Sequence, residues 1–427
     1  MKSRGSGAFI FVFILIVFCG CSQPVFECRP VSPVDNPMLR NVPDVDVPLY
    51  TLHLEDGIVV ADVDYVVNID IGDRDAFRIL NFADIQLEAD DVASENKEYR
   101  FMFRTTANLV SMVRPDLITL TGDQTGDGNR QALETICNQI DGFGIPWAPV
   151  FGNHDDSSSK GGILIDEQAG IYKSHENCIY RDGPAGLNRV LENGSDSIGN
   201  YVVNLVRVEG NEFRVVRTLI LMNSGSMEDY SDLVYTGQKP YGDGFPTACL
   251  NRNQIEWYKQ MVRSVQPYGQ GNAVPSAVIM HVPVFAYLYA ASAAFNIPED
   301  IYNYKSWFVL SNLQSYFGSF RNTSYWRKGY ESSYGVMHEV MCCPPYEEGM
   351  FNAMKEMGSD FILVGHDHTN SFNIMYEGIN FVYGLKTGRG SYTEPFAIGG
   401  TVITVSPDGS VTFENVLDFS DFLHLPV

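Results

Sequence analysis

The sequence predicts an α/β fold in which layered strands carry polar residues at their ends. From Phe77 onward, short apolar runs alternate with amphipathic helical segments, a pattern typical of a layered α/β domain. Each apolar run ends in polar residues or glycine. The runs are FRILNFAD, PDLITLTGD, IPWAPVFGNHD, RTLILMNS, SAVIMHVP, DFILVGHDH and INFVYGLK. We therefore expect the chemistry of this protein at the carboxyl ends of buried strands.

Two helices are predicted by apolar residues at helical spacing. The first helix lies between the first two runs, and its apolar face is Tyr99, Met102, Phe103, Thr106, Leu109, Val110 and Val113. The second helix is NQIEWYKQMVRSV, and its apolar face is Ile255, Tyr258, Met261, Val262 and Val265. We expect these Met and aromatic side chains to belong to the core rather than to a cofactor site.

The composition is that of a globular protein with a strong acidic excess. Hydrophobic residues make up 45% and charged residues 19% of the 427 residues. The 29 Lys and Arg residues against 52 Asp and Glu residues give a formal net charge of -23. Because this charge repels nucleic acid and anionic membranes, we expect no nucleic-acid partner. A polyanion would have to bind locally, for instance through bound cations.

The N-terminus has the features of a secretory signal. Lys2 and Arg4 precede the apolar run AFIFVFILIVFC at residues 8–19, which is short for a membrane span. Cleavage near residues 20–22, lipidation of Cys21 in FCGC and an uncleaved anchor are the three alternatives. All of them predict a secreted or lumenal protein, whose only membrane contact would be an N-terminal anchor.

Cysteines and glycosylation sequons agree with a secretory route. No CxxC pair is present, so the cysteines beyond the signal are interpreted as disulfide candidates rather than zinc ligands, with their pairing left open. They are Cys28, Cys137, Cys178, Cys249, Cys342 and Cys343. Asn193-Gly-Ser and Asn322-Thr-Ser would be glycosylated if the chain enters that pathway.

The chain divides into three predicted regions. Residues 1–22 are a signal peptide or anchor, and residues 23–76 are a linker followed by a β-rich stretch from Tyr50 to Ile71 that would form a hairpin or edge strands. The main domain is predicted at residues 77–427. It contains an insertion rich in Tyr and Phe at residues 285–326, which would form either a wall beside the site or an extra packed layer.

The polar residues at the strand ends form an ordered set of metal-binding types. Carboxylates, imidazoles and an amide suit a site for two cations with one carboxylate between them. Residues i and i+2 of an extended strand end point to the same side, so His366 and His368 can face one site together. The set is Asp84, Asp123, Asn153, His154, His281, His366 and His368. The histidines outside it, at positions 53, 175, 338 and 424, are interpreted as ordinary surface or core residues.

These motifs resemble, in order, those of calcineurin-like metallophosphoesterases over roughly residues 77–415. The segment YGLKTGRGSY at residues 383–392 is similar to the one that follows the last histidine motif in the purple-acid-phosphatase-like branch. The resemblance implies a four-layer αββα sandwich. The motifs are Asp84 in FADIQ, TGD at 121–123, GNHD at 152–155, His281, and GHDH at 365–368.

The resemblance also implies a role for each residue. The first metal would be bound by Asp84 and His368, the second by Asn153, His281 and His366, and Asp123 would bridge them. The metals would be divalent or trivalent ions, with Fe, Zn and Mn as candidates, and would activate hydroxide for in-line attack on a phosphate ester. His154 would stabilise the developing charge or protonate the leaving oxygen, oriented by Asp155 or Asp127.

Two positions depart from the family pattern. The wider family has Asp-x-His where this chain has Gln86, and typical purple acid phosphatases have a metal-binding Tyr where this chain has Gly126. An amide oxygen can bind a hard cation but binds zinc or iron less well than imidazole does. We therefore expect weakened occupancy of the first metal position.

Three functions remain open from the sequence. The preferred one is a phosphoesterase, and a phosphomonoesterase before a phosphodiesterase. The insertion offers few Lys or Arg residues to bind further phosphates, which favours phosphomonoesters or small diesters over polyphosphates. The second, motivated by Gln86, is a degenerate one-metal protein that binds a phosphorylated ligand or glycan without turnover. The third is an acidic surface or structural protein whose motifs are relics.

Overall fold

The structure, a computed structural model of the chain, describes residues 47–155, 161–184, 187, 198–225, 250–294, 333–337, 339, 341–344, 348–393 and 397–418. The predicted signal, both sequons, Cys28, Cys249, His338, His424 and residues 295–326 of the insertion lie outside these ranges. Within them, no helix is long and apolar enough to cross a bilayer.

The described ranges contain strands and helices in the alternation expected from Phe77 onward. The strands are β1 (Leu52–Glu55), β2 (Ile58–Ala61), β3 (Val66–Asp70), β4 (Phe77–Phe82), β5 (Leu117–Thr121), β6 (Trp147–Val150), β7 (Tyr201–Glu209), β8 (Glu212–Leu221), β9 (Ser276–Ile279), β10 (Tyr334–Met337), β11 (Phe361–Val364), β12 (Asn370–Tyr376), β13 (Ile379–Tyr383), β14 (Gly399–Val405) and β15 (Val411–Leu417). The helices are α1 (Ala89–Ser94), α2 (Lys97–Val113), α3 (Arg130–Asp141), α4 (Ile165–Lys173), α5 (Arg252–Val265), α6 (Ala286–Ala294) and α7 (Met350–Met357). Each of the seven predicted apolar runs contributes a strand.

Two large sheets form the centre of the domain. The five-stranded sheet has the order β15-β14-β4-β5-β6, and its strands β4, β5 and β6 are parallel. The eight-stranded sheet has the order β10-β12-β13-β11-β9-β8-β7-β3, and its strands β8, β9, β11 and β13 are parallel. Strands β4, β5, β6, β9 and β11 are almost entirely buried, which explains why they appear in the sequence as apolar runs rather than as alternating patterns.

The two sheets pack face to face. The ring of Phe361 in β11 meets the edge of Phe413 in β15, with centroids 5.2 Å apart. The side-chain amide of Asn415 in β15 donates to the Ser371 hydroxyl in β12 at 2.6 Å. Helix α2 packs on β4 and β14, whereas α5 packs on β8. The predicted αββα sandwich is therefore confirmed.

Both predicted helices are present with the expected faces. Helix α2 begins after Asn96, whose side chain accepts hydrogen bonds from two main-chain N–H groups of the first turn and so caps the helix. On α2 the predicted face is buried or packed against the core, and on α5 all five predicted residues are buried. The amphipathic spacing therefore identified the surfaces that pack on the sheets.

The N-terminal β-rich stretch takes both of the forms that the sequence left open. Strands β1 and β2 form a hairpin, closed by Asp56 and Gly57 with φ values of 51° and 84°. Such positive φ values are those of a tight hairpin turn. Strand β3 lies parallel to β7 at the edge of the eight-stranded sheet.

The described start of the aromatic insertion packs as part of the core. Helix α6 lies against β12, and the Tyr287 hydroxyl contacts the carbonyl oxygens of Ile362 and Val382 at 2.9 Å each. These carbonyls belong to β11 and β13, so Tyr287 ties the helix to the sheet. Among the two interpretations of the insertion, residues 286–294 match the packed layer.

Three of the cysteines that the structure describes are free thiols: Cys137, Cys178 and Cys342. The disulfide prediction is therefore wrong for these three. Cys137 is buried in the hydrophobic core, where a thiol packs as a small apolar side chain and needs no covalent partner.

Candidate metal centre

The carboxyl ends of parallel strands from both sheets meet at one place. In the five-stranded sheet, Asp84 follows β4, Asp123 follows β5 and Asn153 follows β6; in the eight-stranded sheet, His281 follows β9, and His366 and His368 follow β11. Parallel strands of one sheet end at the same edge, and the sandwich brings the two edges together. The structure thus brings together all six residues that the sequence proposed as ligands.

The backbone at these strand ends adopts an unusual conformation. Four residues other than glycine have left-handed φ values: Asp84 (52°), Gln86 (47°), Asp123 (51°) and His366 (88°). This region costs a residue with a side chain on the order of 1 kcal/mol or more, and it is concentrated at functional sites. The Gln86 N–H donates to the carbonyl oxygen of Asp123 at 3.0 Å, so the two loops support each other's conformation.

Glycines allow the loops to approach one another closely. A Cβ atom on Gly122 would collide with the ring of His281, and a Cβ atom on Gly152 would collide with Asp123. At Gly365 it would lie 2.7 Å from Oδ2 of Asp84. Since each collision involves a proposed ligand, these three glycines are required for the ligands to converge.

Four potential metal-ligand atoms converge at the second proposed metal position. Nδ1 of His281 lies 2.7 Å from the carbonyl oxygen of Thr121, which can only accept, so Nδ1 carries the proton. Nε2 of His281 then faces Oδ1 of Asn153 at 2.9 Å, Oδ1 of Asp123 at 3.3 Å and Nδ1 of His366 at 3.3 Å. A cation can satisfy all of these electron pairs at once, so the donor set fits a metal ion.

The electrostatics of this cluster favour a positive charge. Burial alone lowers the pKa of His281, but the Asp123 carboxylate and its hydrogen bond raise that pKa to about 10. Burial and the charge of His281 lower the pKa of His366 to about 3, so its imidazole stays neutral. The site therefore attracts a cation, either a proton or a metal ion, and keeps the lone pair of a neutral histidine available.

The first proposed position is formed by Asp84, Asp123 and His368, whose potential ligand atoms lie within 4.8 Å of one another. Nδ1 of His368 lies 3.0 Å from the carbonyl oxygen of Tyr392, and its ring stacks on the Tyr392 ring with centroids 4.2 Å apart. This support directs Nε2 toward Oδ1 of Asp84, 3.7 Å away. Burial and the neighbouring Lys386 lower the pKa of His368 to about 2, which keeps its lone pair free.

Asp123 is shared by both clusters. Its Oδ1 atom accepts a hydrogen bond from the His154 N–H at 2.8 Å and lies near His281, while its Oδ2 atom accepts one from Nε2 of Gln86 at 3.1 Å. The same carboxylate belongs to the group with Asp84 and His368 and to the group with His281 and His366. This is the position that a carboxylate between two metals requires.

His154 is oriented by a main-chain carbonyl. Its Nδ1 atom lies 3.1 Å from the carbonyl oxygen of Gly126. The prediction that Asp155 or Asp127 would orient this imidazole is wrong. Asp155 instead accepts from the N–H groups of Gly152 at 2.8 Å and Thr125 at 3.3 Å, and Asp127 accepts from a neighbouring N–H in its own loop. The two carboxylates therefore stabilise the loops, and the main-chain carbonyl of Gly126 orients the imidazole.

The Glu88 side chain lies beside Gly126, the position of the metal-binding tyrosine in typical purple acid phosphatases. A Cβ atom at Gly126 would lie 2.9 Å from Oε1 of Glu88 and 3.0 Å from its Cγ atom. A larger residue at position 126 would therefore require the Glu88 side chain to shift.

Lys386, in the segment YGLKTGRGSY, is a further residue of this centre that the sequence motifs did not identify. Its ammonium group is buried and donates to the carbonyl oxygen of Asp84 at 2.7 Å and to Oε1 of Gln86 at 3.3 Å. Burial lowers the pKa of Lys386 to about 8, although Asp84 and Asp123 oppose that shift. The signal in the sequence that could have identified Lys386 is the pair of glycines that follow it, at positions 388 and 390. In the structure both glycines pack against residues 85 and 86 of the ligand loop.

Histidines that the sequence assigned to ordinary roles lie away from this centre. His53 pairs with Glu55 at 2.9 Å on the exposed hairpin, and His175 contacts the carbonyl oxygen of Ile171 at 2.9 Å on helix α4's end. Neither belongs to the groups that could hold a metal.

The family model for calcineurin-like phosphoesterases matches residues 77–370. This chain belongs to the calcineurin-like phosphoesterase family. It falls in the purple-acid-phosphatase-like branch, since it is 26% identical to probable inactive purple acid phosphatase 28 of Arabidopsis thaliana over 76% of this chain and 73% of that protein. Probable inactive purple acid phosphatase 14 of the same plant is 25% identical over 74% of this chain and 71% of that protein.

Among solved structures, the chain is similar to GAP50, described as the anchor in the inner membrane complex of Plasmodium. The TM-score is 0.41 and the identity 11%, over 81% of this chain and 85% of that chain. The family acts on phosphate esters, whereas the names of the two plant relatives leave catalytic activity unconfirmed.

Proposed function

We propose that this protein is a dimetal phosphoesterase that hydrolyses phosphate esters. The observation that carries the proposal is that two groups of potential ligands share the carboxylate of Asp123. Their carboxylate oxygens and imidazole nitrogens, with the amide oxygen of Asn153 beside them, suit Zn, Mn or Fe ions. Asp84, Asp123 and His368 would hold the first ion, and Asp123, Asn153, His281 and His366 the second.

Two bound cations would supply Lewis acidity to the phosphoryl group and lower the pKa of an attacking water. His154 has a separate task, because it contacts the ligand loop without belonging to either ligand group. With Nδ1 held by Gly126, its Nε2 atom is the one available to hold a proton. We assign to His154 the protonation of the leaving oxygen or the stabilisation of charge on it.

Phosphomonoesters are the proposed substrates in preference to diesters and polyphosphates. The scarcity of Lys and Arg in the predicted insertion at residues 285–326 argues against polyphosphates, because it leaves few cationic groups for additional phosphates. The acidic excess of the chain works in the same direction, because it repels highly charged anions outside the immediate metal centre. We also propose a secretory route, supported by the N-terminal sequence.

A second candidate is a one-metal protein that binds a phosphorylated ligand without turnover. Two observations favour it: the carbonyl oxygen of Gln86 is engaged by Lys386, and the plant relatives are named as probably inactive. In that case Asp123, Asn153, His281 and His366 would hold the single ion.

The test combines metal content with turnover. The protein, expressed through a secretory pathway, is stripped with a chelator, reloaded with Zn, Mn or Fe, and analysed by plasma mass spectrometry. Hydrolysis of p-nitrophenyl phosphate and of bis(p-nitrophenyl) phosphate is followed in parallel. Asp123→Asn serves as the control because it alters both ligand groups.

Two metals per chain, with turnover that disappears on stripping and returns on reloading, support the phosphoesterase. One metal without turnover on either ester would favour the binding protein instead. Turnover that persists in Asp123→Asn would reveal a contaminating phosphatase.

A further inference from the structure

The side-chain amide of Gln86 lies between a carboxylate and an ammonium group. Its Nε2 atom donates to Oδ2 of Asp123 at 3.1 Å, and its Oε1 atom accepts from Nζ of Lys386 at 3.3 Å. All three side chains are buried, with at most 1% of their surface exposed. Water therefore has little access to weaken these contacts or to replace a partner.

The two neighbours fix which end of the amide faces which way. The nitrogen and oxygen of an amide have nearly the same shape, so the surrounding hydrogen bonds determine the orientation. A carboxylate can only accept and an ammonium group can only donate, so Asp123 and Lys386 require the same orientation of Gln86. The opposite orientation would place oxygen against the Asp123 carboxylate and N–H groups against Lys386, which are two repulsive contacts in a dry environment.

Lys386 is itself held firmly in this place. It donates to the carbonyl oxygen of Asp84 at 2.7 Å, and its residue pairs with Ala83 in a parallel bridge. The backbone behind it packs directly on the ligand loop, because a Cβ atom on Gly388 would collide with the carbonyl oxygen of Ile85. The backbone of Lys386 is therefore fixed beside the ligand loop, and the hydrogen bond to Asp84 holds its ammonium group next to Gln86.

We propose that Lys386 withholds the carbonyl oxygen of Gln86 from the first metal position, so that Gln86 positions the shared carboxylate of Asp123 instead of binding a metal. The first position then has three protein ligands: Asp84, Asp123 and His368. The inference rests on the proposed metal centre and specifies the role of one residue beside it. It follows that the two positions fill unequally, with the second position filling before the first.

A double-mutant cycle on Lys386 and Gln86 tests this role. The four proteins are the wild type, Lys386→Met, Gln86→Leu and the double variant, and the two Zn²⁺ dissociation constants of each are measured by competition with a chromophoric chelator. Methionine matches the length of the aliphatic part of lysine and lacks the ammonium group, so the amide becomes free to turn its oxygen toward the metal. Lys355→Met removes a charge from an exposed lysine that pairs with Glu377 at 2.8 Å, and serves as the control.

We expect Lys386→Met to tighten the weaker Zn²⁺ constant about tenfold, a size typical of changes next to metal ligands. The same substitution in the Gln86→Leu background should tighten it less than about threefold, because no amide oxygen is available there. Removing a buried positive charge near a cation would by itself tighten binding in both backgrounds. Equal effects in the two backgrounds would therefore overturn the proposed role of Gln86 and leave the metal centre intact.

Failure of the proposed function gives a different result, because a wild type that binds none of the Zn, Mn and Fe ions would remove both proposals. If Lys386→Met does not fold, a crystal structure of the zinc-loaded wild type decides the question. The proposal requires Oε1 of Gln86 to remain on Lys386. An Oε1 atom within about 2.2 Å of the first zinc would make Gln86 a ligand and overturn the proposal.

Discussion

The carbonyl oxygen of Gly126 lies 3.1 Å from Nδ1 of His154. A carbonyl only accepts hydrogen bonds, so it holds the proton on Nδ1 and leaves Nε2 as the ring nitrogen for proton transfer. It does so without the full negative charge of a carboxylate. Gly126, which stands where typical purple acid phosphatases have a metal-binding tyrosine, thus contributes its main-chain carbonyl to the site.

Replacing His154 should separate turnover from metal binding. We expect His154→Asn to lower kcat on p-nitrophenyl phosphate by about 10²-fold to 10⁴-fold, the range for loss of a general acid or base. Metal content should stay the same, because the His154 side chain belongs to neither ligand group. Both quantities are measured on one metal-loaded preparation.

His175→Asn provides the control, because His175 also contacts a main-chain carbonyl through Nδ1 but lies away from the centre. It should leave kcat unchanged. An undiminished kcat in His154→Asn would remove the assigned role of His154.

The tight packing of the segment after β13 against the ligand loop predicts a large effect at Gly388. A methyl group there collides with the carbonyl oxygen of Ile85, and neither backbone can move without disturbing Asp84 or Gln86. Gly388→Ala should lower the free energy of unfolding by about 2 kcal/mol, as overpacking of a tight interior does. Urea denaturation of the metal-free protein measures the change.

Gly170→Ala is the matched control, since Gly170 lies in helix α4 with nothing within 4 Å of an added Cβ atom. It should raise stability by up to about 1 kcal/mol because alanine favours helix over glycine. Equal effects of the two substitutions would show that the close approach at Gly388 is not required.

Arg217 should be important for stability and not for metal binding. Its buried guanidinium donates to both carboxylate oxygens of Asp360, at 2.7 and 2.5 Å, and to the carbonyl oxygen of Gly409 at 2.9 Å through Nε. Arg217→Met leaves these acceptors without their donor, and Asp360 is only partly exposed to water. We expect a loss of about 3 kcal/mol in the free energy of unfolding.

The comparison is Arg263→Met, which removes an exposed pair with Glu356 and should cost much less than Arg217→Met, because water screens exposed ion pairs. Metal content per chain should be unchanged in both variants. A loss of metal in Arg217→Met alone would mean that the contacts of Arg217 with Asp360 and Gly409 also position the ligands.

Asp141 should stabilise the protein in a pH-dependent way. Burial raises its pKa, but hydrogen bonds from Nε1 of Trp147 and the Asn177 N–H, both at 2.9 Å, outweigh burial and hold that pKa below its usual value. A depressed pKa in the folded state adds stability above the unfolded pKa of about 3.9, and this stability is lost as pH falls through the folded pKa.

Asp141→Asn should therefore cost about 1 kcal/mol at pH 7, allowing for partial exposure, and clearly less at pH 3. Urea denaturation at both pH values measures the difference, with Asp75→Asn as the control on an exposed loop. A cost that is the same at both pH values would show that the charge of Asp141 adds nothing.

Local sequence patterns were enough to predict the elements and the polar residues at their ends. Burial on both faces makes β4, β5, β6, β9 and β11 appear as apolar runs, and helical spacing identifies the packed faces of α2 and α5. Because the ligands follow parallel strands, their convergence at one edge also follows from the chain order. The disulfide prediction failed for Cys137, Cys178 and Cys342 because cysteine count and compartment do not show which thiols are buried without a disulfide partner.

Only the tertiary structure decided how Gln86 and His154 are used. The sequence presented Gln86 as a weak ligand, yet its orientation depends on Lys386, which lies 300 positions away in the chain. Likewise, His154 was expected to use a carboxylate and instead uses the Gly126 carbonyl. Periodicity reports burial and element type, which are local. The direction of a buried amide or imidazole depends on hydrogen-bond partners that meet only when distant loops pack together.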